Sequence, residues 1–305
     1  MSRLDALLHS GTHAIDGGLA SELEARGYDL TGSLWSARLL RDDPDAIRDV
    51  HQTYFEAGAT VGISASYQAS RPGFVAAGLS PDEADRLLTL SVELVAQARD
   101  RARARGVTHP MLVAASVGPW GATMHDGSEY RGRYGKSREF LADFHRERTS
   151  VLVAAQPDLL AIETIPDVDE AYALTDVISG VPAWLSFSCE SAERTCAGQP
   201  IEDAAELVSE HFDAIGVNCT KPEFISGLIT RIRRATPDLP IVVYPNAGRV
   251  WDGDASVWLG DGEDLLPRAA VQEWMDLGAS LIGGCCGLGP AAIVEVADLT
   301  RQELL

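Results

Sequence analysis

Lysine is almost missing from this chain. Lys136 and Lys221 are the only two among 305 residues, and they begin helices or lie in loops. A barrel aldolase working through a Schiff base needs a lysine at a strand end, so that chemistry is excluded. Positive charge is scarce altogether: 25 Lys and Arg face 45 Asp and Glu, a formal net charge of -20. Nucleic acid and anionic membrane both require basic patches, so neither is an expected partner. No apolar run approaches the roughly 20 residues of a membrane span. Met1-Ser2-Arg3-Leu4-Asp5 lacks a basic segment followed by an apolar one, so no signal peptide is expected, and the cytoplasm is the expected location. No linker or low-complexity segment divides the chain.

Cysteine is sparse but concentrated. There are five, Cys189, Cys196, Cys219, Cys285 and Cys286, and none forms a C-x-x-C pair. An odd number without a secretion signal does not read as a disulfide framework. Cys285 and Cys286 sit in Gly283-Gly284-Cys285-Cys286-Gly287, directly after the apolar run Ala279–Ile282, and Cys219 ends the apolar run Ala214–Asn218 in the same way. The flanking glycines let backbone approach a bound group closely. Three thiolates from two strand ends make a soft, anionic donor set that suits zinc and leaves a fourth position open, the mark of a catalytic rather than a structural site. Cys189 and Cys196 lack the glycine setting and read as structural.

From end to end, short apolar runs alternate with amphipathic stretches. Candidate strands are His13–Asp16, Thr60–Ser66, Met111–Val117, Leu159–Glu163, Ala183–Ser188, Ala214–Asn218, Ile241–Pro245 and Ser280–Gly284. Most show no polar alternation, as expected of strands buried on both faces. Helical patterns follow them; Pro44–Ala57 and Pro81–Arg105 open with Pro after a capping Asp43 or Ser80. Eight strand–helix units predict an α/β fold, a single-domain (β/α)8 TIM barrel over residues 1–305; a doubly wound open sheet has the same local pattern. Two long loops, Gly118–Gly135 and Ala247–Gly262, are candidate active-site loops.

In a barrel the strand ends share one mouth. Asp16-Gly17-Gly18, Glu163-Thr164, Asn218-Cys219, Tyr244-Pro245-Asn246 and Cys285-Cys286 would all gather there. Asp16 alone is equally readable as a turn residue. Asn246, at the end of strand 7, is a candidate substrate contact and, with water, a candidate for the fourth metal position. Tyr67, Trp120, Tyr244, Trp251 and Trp258 are candidate walls for a cationic ligand.

These pieces resemble the homocysteine S-methyltransferases, over nearly the whole chain. The resemblance rests on Asp16–Leu23, Leu34–Ala37, Ser66–Ser70, Glu163–Pro166, Trp184–Cys189, Gly216–Cys219, Tyr244–Gly248 and Gly283–Gly287; a single Cys followed far downstream by GGCC is its most specific element. It implies a zinc-dependent barrel with Cys219, Cys285 and Cys286 as ligands and catalytic centre. It also implies homocysteine held by its amino group near Asp16 and Glu163, beside the Gly17-Gly18 turn. The compact type that uses the sulfonium donor S-methylmethionine, and S-adenosylmethionine less well, is the best match. Its partners are then small molecules, and its product is methionine. Betaine as donor, or selenocysteine as acceptor, are variants of the same chemistry. A non-catalytic zinc- or thiol-binding barrel is the reading from a different class, and would require a closed four-ligand site.

Overall fold

The computed structural model describes residues 2–30, 38–248, 250–252, 257–259 and 264–303, with backbone alone for 250–252, 257–259 and 303. The Leu34–Ala37 segment and the side chains of Trp251 and Trp258 lie outside the described residues.

Ten strands are present among the described residues: β1 His13–Ala14, β2 Val61–Ile63, β3 Leu112–Val117, β4 Leu159–Ile165, β5 Ala183–Phe187, β6 Ala214–Asn218, β7 Ile241–Tyr244, β8 Val250–Asp252, β9 Val257–Leu259 and β10 Ala279–Ile282. Eight form one parallel sheet in the order β1-β10-β7-β6-β5-β4-β3-β2. Its outer strands meet: Thr60 N–H donates to the Ala14 carbonyl at 2.8 Å and Asp16 N–H to the Val61 carbonyl at 3.1 Å. The sheet therefore curls into a (β/α)8 barrel, and the open-sheet alternative falls away. β8 and β9 pair antiparallel inside the Ala247–Gly262 stretch that the sequence presents as a loop.

All eight expected barrel strands are found, Ala214–Asn218 with the expected bounds and the other seven with shifted ends. β1 stops two residues early because Asp16 supplies a side chain where a strand would supply a carbonyl. Its Oδ2 accepts from Ile63 N–H at 2.7 Å. β4 runs past Glu163 to Ile165, with a break in its register against β5 between Ile162 and Ile165. Such an irregularity re-aims a side chain beside a functional site.

Two apolar layers hold the barrel. Inside, Ile15, Val61, Leu112, Leu159, Trp184, Val242, Tyr244 and Leu281 interdigitate. Leu4, Leu7 and Leu8 of the helix Arg3–Leu8 join them and plug the end opposite the strand C-termini. That helix is only six residues long, too short for a periodic signal, and the sequence pattern does not reveal it. Outside, the helices cover the strands. Pro81–Ala104 illustrates the logic: Ser80 and Glu83 form a reciprocal capping box, and Ala84, Leu88, Val92, Val95, Ala98 and Ala102 face inward at three- and four-residue steps. Among the described residues no helix is long and apolar enough to cross a membrane.

Candidate functional site

The three cysteines meet at the mouth because the end of β7 ties them together. Cys219 N–H donates to the Tyr244 carbonyl at 3.0 Å, Cys285 N–H to the Pro245 carbonyl at 2.7 Å, and Ala247 N–H to the Cys286 carbonyl at 2.8 Å. Strands β6, β7 and β10 are neighbours, so both cysteine segments hang from one keel. The Sγ atoms of Cys219 and Cys286 are 3.6 Å apart, those of Cys285 and Cys286 are 3.9 Å apart, and all three lie within 4.8 Å of one another. Sulfurs at about 2.3 Å from a tetrahedral ion stand about 3.8 Å apart, so the donor set fits such an ion. All five cysteines are free.

The sulfurs differ electrostatically. Thiol hydrogen bonds from Cys285 and Cys286 pull Cys219 well below the ordinary thiol range, against the effect of burial; the Tyr130 hydroxyl, 3.2 Å from its Sγ, helps. Cys285 and Cys286 are pushed up in return by their hydrogen bonds to Cys219. Burial raises the Cys189 thiol well above its usual value and carries Cys196 to about 12, so both stay protonated and inert, as structural thiols should.

Gly17 and Gly18 serve close approach. A Cβ on Gly17 would stand 2.5 Å from the Leu288 carbonyl oxygen, and one on Gly18 2.6 Å from that of Cys285. Gly18 N–H donates to the Leu288 carbonyl at 2.9 Å, and Gly287 N–H to Ser21 Oγ at 2.7 Å. The first turn of the chain thus clamps the last cysteine loop.

Carboxylates line the same mouth. Asp16 is 3 % exposed; burial raises its pKa well above the usual range, the Ile63 amide opposes this, and the nearby charge of Glu163 adds to it. Glu163 accepts from Ser116 Oγ, and burial lifts it to about 7 against the hydrogen bonds from Ser116 and Tyr244. Glu129 and Tyr130 are members of the site that the sequence reading misses. They sit in the Gly118–Gly135 loop, whose length is their only advance signal. Glu129 is raised to about 7 by burial, and its Oε2 is buried with no hydrogen-bond partner. The loop is anchored from below: Arg148 donates to the carbonyls of Gly118 and Tyr67, and Glu170 accepts from Trp120 N–H at 2.6 Å and pairs with His145 at 2.9 Å.

The remaining expected residues lie around this cluster. Asn246 stands just past the end of β7: its Nδ2 donates to the Cys219 carbonyl at 3.2 Å and its Oδ1 accepts from Gly248 N–H at 2.9 Å. These bonds brace the Cys219 backbone and leave one amide hydrogen and one oxygen lone pair of Asn246 uncommitted. Tyr244 is buried beneath the mouth, bonded to Ser186 and Trp184. Trp120 packs on Tyr134 and Phe140 under the Lys136 ammonium. Tyr67 is the half-buried aromatic beside the carboxylates, with Glu129, Cys219 and Glu163 as charged neighbours.

A family model described as homocysteine S-methyltransferase matches residues 14–300. Homocysteine S-methyltransferase 4 of Zea mays is 46% identical over 312 residues, covering 96% of this chain and 90% of its own. Homocysteine S-methyltransferase YbgG of Bacillus subtilis is 42% identical over 297 residues and 94% of each chain. The metallated crystal form of the homocysteine methyltransferase MmuM from Escherichia coli superposes with a TM-score of 0.85 at 39% identity, over 95% of this chain and 96% of that one. On sequence and fold together, the chain belongs to the homocysteine S-methyltransferase family, enzymes that carry a methyl group to the sulfur of homocysteine.

Proposed function

We propose that residues 1–305 form one homocysteine-binding domain in which Cys219, Cys285 and Cys286 hold zinc, and that the methyl donor is the sulfonium S-methylmethionine. The observation that carries this reading is the cluster of three sulfurs at tetrahedral spacing beside buried carboxylates at the barrel mouth. Zinc, when bound there, would keep the homocysteine sulfur deprotonated at neutral pH, where a free thiol near pKa 8.5 is mostly protonated.

The chain's own residues do the rest. Asp16 and Glu163 supply negative charge for the homocysteine ammonium, and their burial makes that charge costly until a cation arrives. The Gly17-Gly18 turn lets substrate lie close to backbone. Glu129, buried and unpartnered at Oε2, and the face of Tyr67 suit the donor's positive sulfur. In the transfer the homocysteine sulfur attacks the methyl carbon in line. The old carbon–sulfur bond breaks, its electrons return to the donor sulfur, and a thiolate and a sulfonium become two neutral thioethers. Alignment and exclusion of water supply much of the rate.

A donor panel tests the reading. With homocysteine as acceptor, S-methylmethionine should give the highest kcat/KM, S-adenosylmethionine less, and betaine background only. A betaine rate above that of both sulfonium donors overturns it.

A further inference from the structure

Two non-glycine residues at the mouth have left-handed backbone, Thr164 at φ 60° and Cys219 at φ 44°. Thr164 immediately follows Glu163, at the register break between β4 and β5. A β-branched residue in that region is strained and persists only where its surroundings hold it. The holder is Asn218, which is fully buried. Its Oδ1 accepts from Thr164 N–H at 2.6 Å and from Ser186 Oγ at 2.7 Å, and its Nδ2 donates to Thr164 Oγ1 at 2.7 Å. An amide N–H can only donate, so the side-chain orientation is fixed. Ser186 Oγ in turn bonds Tyr244 Oη at 2.7 Å. Asn218 therefore reaches Glu163 through the Thr164 backbone.

We propose that Asn218 is a positioning residue for acceptor capture: by clamping Thr164 in the left-handed region it aims the Glu163 carboxylate into the mouth. This rests on the reading of Glu163 as the carboxylate that receives the homocysteine ammonium. Asn218 touches no reacting atom in this account; it acts through Glu163.

The test is calorimetric binding of homocysteine to the zinc-loaded enzyme, with zinc content measured on each variant. Asn218→Ala should keep its zinc and weaken homocysteine binding about tenfold, the free energy of one released backbone strain. Glu163→Gln should weaken it comparably, and the double variant should bind no worse than Glu163→Gln alone, because both changes remove one interaction. Independent, additive losses overturn the proposal, as does unchanged binding in Asn218→Ala, or a loss that tracks lost zinc. If Glu163→Gln itself binds homocysteine normally, the proposed acceptor site fails instead. Should Asn218→Ala not fold, Thr164→Val and Thr164→Gly carry the question. Both remove the hydroxyl, but glycine accepts a positive φ and valine resists it. Valine should bind homocysteine about threefold or more worse than glycine; equal binding overturns the clamp.

Discussion

Glu163 shows how a single residue turns burial into a pH response. Its carboxyl sits near 7 instead of 4.5 because the site is desolvated. Capture of an ammonium needs the ionised form, so homocysteine affinity should fall as pH drops below about 7, and Glu163→Gln should bind weakly with a flattened pH dependence. The stability effect runs the other way. The folded chain holds this proton more tightly than the unfolded chain, so folding takes up a proton between pH 4.5 and about 7. Wild type should lose stability relative to Glu163→Gln as pH rises through that window, read from denaturant midpoints at each pH. Cysteine substitutions are simpler: Cys219→Ala, Cys285→Ala or Cys286→Ala should each remove zinc and abolish turnover. Retained zinc in any of them would contradict its assignment as a ligand. At this scale the sequence is readable where chemistry is unusual. Three cysteines among glycines, and acids directly after apolar runs, have few structural explanations. Glu129 and Tyr130 have many, because nothing local distinguishes them from other loop residues. For Asn246, position at a strand end says nothing about where an amide's hydrogen bonds go; its bonds to the Cys219 carbonyl and the Gly248 N–H had no local signal.

Among the elements, the contact between the first turn and the cysteine loop is the most exacting. A methyl group on Gly18 meets a backbone carbonyl, which cannot rotate aside as a side-chain tip can. Gly18→Ala should cost about 1–3 kcal/mol. It should also displace Cys285, so that zinc leaves at a lower chelator concentration. Unchanged zinc retention would show that this turn does not position the cysteine. Elements were legible in proportion to their length and periodicity. The eight barrel strands stand out as apolar runs, and the long helices by their caps and inward stripes. The plug Arg3–Leu8 is too short to show a period. The β8–β9 pair hides in a stretch rich in Gly and Asp. Strand ends drifted where a side chain replaced a carbonyl in the ladder, as Asp16 does at Ile63.

For the molecule as a whole, the local pattern allows either an open sheet or a barrel, and closure depends on contacts between β1 and β2 across 47 positions of sequence. Such pairings leave no local trace, which is why the family resemblance carried what periodicity could not. The two apolar layers form without the cysteines, apart from Cys189 in the outer layer and Cys285 at the rim of the inner one. Stripped of metal by a chelator, the protein should keep its far-ultraviolet circular dichroism and a cooperative melt, displaced to lower temperature by the lost binding free energy. Loss of the fold on chelation would mean that zinc is structural. The most direct test of the central claim is zinc K-edge X-ray absorption of the purified enzyme, with and without homocysteine. The account predicts three sulfur neighbours at about 2.3 Å in the free enzyme and four when homocysteine is bound. An unchanged sulfur count on adding homocysteine would contradict it.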